Sequence, residues 1–182
     1  MRRLLLVLSV LVIIAFFLSG CAAGRPKQEL PSRPVEISRE LADRAWGKIN
    51  KAQQQESFHL TFTESELTSL LVFTLEERLK EHPLRDPRIW IERNKVIFVA
   101  TLVNLAPVAL NLVVEFQLYV QDGTAKVQFT RALINNRPLP AVTLRTVSRI
   151  VSETLAEAKL MVYFEEIRLD PGVITVKGRT TF

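Results

Sequence analysis

A single cysteine closes no intramolecular disulfide, and Cys21 is the only one in this 182-residue chain. The fold must therefore rest on its core. There are only two histidines, His59 and His82, and they do not form a His-x-x-x-His metal pair. His82, just before Pro83, reads as a positive partner for a helix C-terminus. His59 reads as a strand-edge residue. Six glycines in all leave no Gly-rich phosphate cradle, and Gly-x-Ser-x-Gly is absent. Glu165 and Glu166 adjoin on one strand and point to opposite faces, which is poor geometry for a general acid and base working together. Asp122 and Asp170 sit in turns, where short carboxylates bond the backbone. No basic run is interleaved with aromatics, so nucleic acid is not an expected partner. The reading is of a non-enzymatic protein with no catalytic residues, no metal and no cofactor.

What is present begins at the first residues. Arg2 and Arg3 precede an uncharged stretch, LLLVLSVLVIIAFFL, at 4–18. A short basic region before an apolar run is the start of a secretory signal. As a helix that run spans roughly 23 Å, short of a bilayer core of about 30 Å. With its flanks it still spans, so an uncleaved anchor stays open on length alone. Arg2 and Arg3 supply two of the five net positive charges. The remaining mild excess suits either life near an anionic surface or ordinary solvated cations.

Leu18-Ser19-Gly20-Cys21 resembles the lipobox of bacterial lipoproteins. There a diacylglycerol is joined to the cysteine sulfur and the signal is removed before it. The resemblance implies a signal peptide at 1–20, lipidation (a palmitate-type anchor) at Cys21 and a membrane partner through that lipid. It further implies a place at the cell membrane or outer membrane, facing away from the cytoplasm. Residues 21–35, rich in small and polar residues and proline, read as a flexible tether. Residues 36–182 read as one domain.

Within that domain Ser38 caps a helix reaching about Gln54, with Leu41, Ala45, Trp46 and Ile49 on one stripe. FHLTF at 58–62 is extended. Thr63 and Glu66 then have capping-box spacing ahead of Leu67, Leu70, Leu71, Leu75 and Leu79. DPR at 86–88 reads as a turn. From Ile89 the period changes to two. A turn on Asn94 and Lys95 would set Ile91 opposite Phe98, Ile89 opposite Ala100 and Trp90 opposite Val99. Asp122-Gly123 is a strong hairpin signal. It sets Val120 opposite Ala125, Leu118 opposite Val127 and Phe116 opposite Phe129, with Gln117, Tyr119, Lys126 and Gln128 on a wet face. NNRPLP at 135–140 is a turn or loop. A third helix follows at about 142–159, with Leu144, Val147, Ile150, Val151 and Leu155 on its stripe. A last strand pair turns at Asp170-Pro171-Gly172. The class is α+β: an antiparallel, curved sheet of about six strands in hairpins, packed on two or three helices.

TESELTSLL, VQDG and NNRPLPAVTLRTVSRIV, behind a membrane-anchored start, resemble the YpmS-like family of membrane-anchored bacterial proteins. Arg137 departs from that family's Leu-Pro-Leu-Pro turn. More loosely, a long antiparallel sheet wrapped on a helix is similar to tubular lipid-binding (TULIP-like) architecture.

Two functional readings follow. In the first, the domain binds a lipid or other apolar ligand. Trp90, Ile97, Val99, Phe98, Phe116 and Phe129 then line a groove beside the uncharged run at 102–114, and Arg145 and Arg149, four apart on one helix, meet headgroups. The closed alternative makes the same apolar residues ordinary core and the two arginines a solvated helix face. In the second, the domain is a scaffold or interaction module for an envelope protein partner.

Overall fold

The computed structural model describes residues 30–78, 84–103, 108–157 and 162–180. Cys21, His82, Leu79 and the apolar signal lie outside them. Among the described residues three helices and eight strands follow in chain order: α1 (Arg39–Ala52), β1 (Ser57–Thr63), α2 (Glu64–Arg78), β2 (Leu84–Glu92), β3 (Lys95–Leu102), β4 (Leu110–Gln121), β5 (Thr124–Ile134), β6 (Arg137–Pro138), α3 (Ala141–Glu157), β7 (Val162–Asp170) and β8 (Val173–Thr180). The fold is α+β. Its strands form two antiparallel sheets, β1-β8-β7 and β2-β3-β4-β5-β6. The expectation of one six-stranded sheet is corrected. The C-terminal hairpin takes β1 as its third strand, with Phe58 opposite Gly178 and Phe62 opposite Ile174. No helix among the described residues is long and apolar enough to cross a membrane.

Helix starts follow their caps. The Ser38 hydroxyl accepts from the Leu41 amide at 3.3 Å. At α2 the box closes both ways: Glu66 N donates to Thr63 Oγ1 at 3.2 Å, and Thr63 N donates to Glu66 Oε2 at 3.0 Å. Lys48 Nζ meets the same buried carboxylate at 2.7 Å. Burial alone would raise the Glu66 pKa; the Lys48 ammonium and the Thr63 amide outweigh it and hold the group below its ordinary value. A depressed carboxyl stabilises the fold above its unfolded pKa of about 4.3, and that contribution is lost as pH falls through the folded value. Urea denaturation should therefore show stability falling below about pH 4.5. Glu66→Gln, which keeps the cap but not the charge, should flatten that fall.

The hairpin at Asp122-Gly123 has the expected register, from Gln121 opposite Thr124 to Phe116 opposite Phe129. Both turn residues have positive φ, 52° and 70°, the backbone of a two-residue hairpin turn matched to strand twist. The Phe116 and Phe129 rings are tilted, with centroids 5.6 Å apart. Asn135 and Asn136 form a similar turn, with φ of 49° and 62°, into the short β6.

The first hairpin departs from expectation by two residues. Glu92 pairs Lys95, so Arg93 and Asn94 make the turn, and Ile91 faces Val96, Ile89 faces Phe98 and Trp90 faces Ile97. Asn94 carries the positive φ, 63°. A polar asparagine tolerates that conformation far better than lysine, and the turn settles accordingly. A two-residue shift leaves each side chain on its expected face. DPR at 86–88 is not a turn. It lies within β2 at a bulge between Arg85 and Arg88, with Asp86 at φ 51°.

One glycine is fixed by close approach. A Cβ on Gly178, in the middle strand of the small sheet, would lie 2.5 Å from Tyr163 O and 2.7 Å from Phe58 Cζ. Backbone cannot yield cheaply there. Gly178→Ala is expected to cost about 1–3 kcal/mol, as overpacking does, read from the shift of the urea midpoint.

Candidate functional site

The five-stranded sheet has two faces, and its registers arrange their side chains in rows. One face, here the inner, carries the row Ile91, Val96, Phe116, Phe129, then Ile89, Phe98, Val114, Ala132, then Ala100, Leu112, Ile134. The first row meets the small sheet and α2. Ile91 and Val96 are buried with Ala45, Phe62, Leu169 and Ile174, and Leu67, Leu70, Phe116 and Leu118 pack around them. Beyond that row Ala100, Ala132 and Ile134 are buried, while their larger neighbours are only partly covered. Phe98, Leu112 and Val114, on the two middle strands, are half-buried, as is Phe129.

Helices wall both edges of this face by the same device. On the β2 edge, Thr68 Oγ1 of α2 accepts from Ile89 N at 3.0 Å and Glu64 Oε1 accepts from Ile91 N at 2.7 Å. On the β5 edge, Ser148 Oγ of α3 accepts from Phe129 N at 2.8 Å and Ser152 Oγ accepts from Val127 N at 3.2 Å. Strand-edge donors that would otherwise invite another chain are thus satisfied by helix side chains. The arrangement is a trough: small-sheet core at one end, a helix along each side, half-buried aromatic and aliphatic side chains on the floor. The α3 residues Leu144, Val147 and Val151 are half-buried too. In α2, Thr74 follows Leu67 and Leu70 at helical spacing, and its hydroxyl is buried without a hydrogen-bond partner among the described residues.

The outer face is closed by the chain itself, and this corrects two expectations. Residues 33–35, read as the end of a flexible tether, are docked. Arg33 Nη2 lies 2.7 Å from Glu64 Oε1 and 3.0 Å from Glu92 Oε1, and donates to Ile91 O at 3.2 Å. Glu64 first, then Glu92, raises the Arg33 pKa against the effect of burial. Trp90 Nε1 donates to the Arg33 carbonyl at 3.1 Å. Val35, Trp90 and Ile97 bury one another, with Val99 and Val113 packed around them. Trp90, Ile97 and Val99 therefore do not share a groove with Phe98, Phe116 and Phe129. The first three belong to a small outer core and the last three to the inner face.

Further along, the outer face is polar. Glu115 pairs with Lys95 at 3.2 Å and Arg131 at 3.5 Å. An open depression of about 470 Å³, lined by residues such as Gln117, Leu118, Tyr119, Ile167 and Leu169, lies where β4 meets β7. Another, of about 620 Å³, runs beside residues 30–33, Glu92, Arg93 and Lys95. Both mix polar and apolar lining, with Leu118, Ile167 and Leu169 in the first and Leu30, Pro31 and Ile97 in the second, and neither includes any of the three phenylalanines. The inner face is apolar, the chemistry that an acyl ligand needs.

Arg145 and Arg149 are exposed on α3, and Arg149 lies 3.4 Å from Glu153. His59 is exposed on β1, opposite Lys177. Glu165 and Glu166 each pair across their hairpin, with Arg179 at 2.7 Å and Lys177 at 2.6 Å. Sequence reasoning missed Leu112 and Val114 as site residues, and missed Arg33 and Val35 as part of the domain. The hairpin register carried Leu112 and Val114 implicitly, because they follow Phe116 by twos along β4. No family model matches the chain, and no curated protein is significantly similar to it.

Proposed function

We propose that the protein is an envelope lipoprotein, held by a lipid on Cys21, whose domain takes the acyl chain of a lipid against the inner face of its five-stranded sheet. The observation that carries the reading is the half-buried Phe98, Val114 and Leu112, in two adjoining rows between two helix-walled edges. Apolar side chains on the middle of a sheet need cover, and an acyl chain is a cover of the right width and chemistry. Burying ten methylenes at about 0.8 kcal/mol each gives roughly 8 kcal/mol before the costs of binding, enough for micromolar affinity when those costs are small.

Titration of residues 26–182 with a fluorescent fatty acid tests the binding. Saturable, enhanced emission displaced by unlabelled fatty acid supports it, and a flat titration removes it. The anchor has its own test. Cys21→Ser should lose all label from a metabolic fatty-acid analogue and accumulate as unprocessed precursor; equal label on the variant would exclude lipidation there.

A docking module for an envelope protein is the second reading. The second half of α2 favours it, where Leu70, Leu71, Val72, Phe73 and Leu75 are apolar around the helix and only half-buried. A module of that kind would show no displaceable fatty-acid binding.

A further inference from the structure

The two ends of the long sheet differ in kind. One end holds the turns at Arg93-Asn94 and Asp122-Gly123 and the docked residues 30–33. The other holds Leu102 and Leu110, the Asn135-Asn136 turn and the start of α3. Asn111 and Asn135 tie that second end together, each backbone amide bonded to the other residue at 2.8 Å. Here Val108 is 65% exposed and Val142 67%, more than any other large apolar side chain among the described residues.

The β4, β5 and α3 side of this end is cationic, whereas on the β2 side Leu84, in line with Leu102 and Leu110, is followed by exposed Arg85 and Asp86. No acidic residue lies between Asp122 and Glu153; of the cations in that stretch Lys126 sits by the opposite turn and Arg131 pairs with Glu115, which leaves Arg137, Arg145 and Arg149 on this side. No charge of either sign lies between Lys95 and Glu115. Arg137, Arg145 and Arg149 are exposed. The first turn of α3 has no acidic residue, so the positive end of its dipole is not offset there. The tip is apolar at its apex and cationic on its flank. An acidic protein surface would match the arginines and leave Val108 and Val142 unused. A bilayer of anionic phospholipid matches both, since its interface takes small apolar side chains while its phosphates take guanidinium groups.

We propose that this end of the domain docks on an anionic phospholipid surface, with Val108 and Val142 entering the interfacial layer and Arg145 and Arg149 on the phosphates. The surface adjoins the trough's far end, where Leu112 is two residues from Leu110, and the docking stands whether or not the trough holds a ligand.

The test uses the full-length protein reconstituted in vesicles of phosphatidylcholine alone. Protein-free, dye-labelled vesicles are then added, made either of phosphatidylcholine or of phosphatidylcholine and phosphatidylglycerol in equal parts. Capture of the second vesicles is read by co-sedimentation. The proposal expects capture of the anionic vesicles only, reduced by salt, and lowered roughly five-fold by each of Arg145→Glu and Arg149→Glu at the least. Val142→Asp should lower it as well. Each variant should keep the wild-type urea midpoint and wild-type fatty-acid binding, which separates loss of docking from loss of the fold or the trough. Equal capture of neutral vesicles, no capture by the wild type, or capture unchanged in the arginine variants would overturn the proposal.

Discussion

Val114→Asp abolishes saturable fatty-acid binding by residues 26–182, while Tyr119→Asp leaves it intact. That is the outcome expected from the faces of β4. Val114 stands between Phe98 and Ala132 on the trough floor, so a carboxylate there must be desolvated by any chain laid over it. The cost of burying an unpaired charge corresponds to a loss of affinity of well over ten-fold. Tyr119 is 42% exposed on the opposite face and touches no part of the trough. Val114 is only half-buried, so its variant should retain the circular dichroism of the wild type. Val114→Ala provides the folded comparison, with a smaller loss. Binding lost equally in both aspartate variants would place the ligand elsewhere.

Glu64→Ala is expected to cost about 3 kcal/mol in urea denaturation, near the lower bound for removing one partner of a buried, hydrogen-bonded pair. The carboxylate accepts from the Arg33 guanidinium and from the Ile91 amide at the β2 edge. Its removal leaves that amide unbonded and releases residues 33–35. Arg33 is 40% exposed at its side chain, so water recovers part of its loss. Glu64→Gln keeps an acceptor for Ile91 N and should cost about 1 kcal/mol. In a Trp46→Phe background the Glu64→Ala variant should also shift Trp90 emission to the red, because Trp90 loses the Arg33 carbonyl and the cover of Val35. An unshifted emission would mean that residues 33–35 are held by Val35 alone.

Much of this fold was legible because its signals are local. Ser38, Thr63 with Glu66, and Asp122-Gly123 each state an element boundary through one or two side chains, and the structure places all three as read. The second hairpin's register also followed, since alternation over ten residues and a forced turn agree. The first hairpin was harder. Both of its faces are apolar, so alternation could not fix the turn, and the choice between Arg93-Asn94 and Asn94-Lys95 rested on one residue. Its faces were still right, because the slip was of two.

The candidate site was legible only in part. Phe98, Phe116 and Phe129 were visible as apolar residues, and their alternation placed them on one face. That Trp90, Ile97 and Val99 face the other way was legible too. What covers them was not. Arg33 and Val35 sit in a proline-rich, polar segment with the composition of a linker, and only the long-range partners Glu64, Glu92 and Trp90 make it part of the domain. The helix-walled edges were equally hidden. Thr68, Ser148 and Ser152 are ordinary helix residues until the strand amides they receive are known.

The central claim is that the inner face holds an acyl chain, and solvent extraction tests it most directly. Residues 26–182, purified without detergent, are extracted with organic solvent and the extract is read by mass spectrometry. The account predicts a near-stoichiometric acyl lipid from the wild-type domain and none from Val114→Asp. A wild-type domain that yields no lipid, and retains none after incubation with fatty acid, would contradict it.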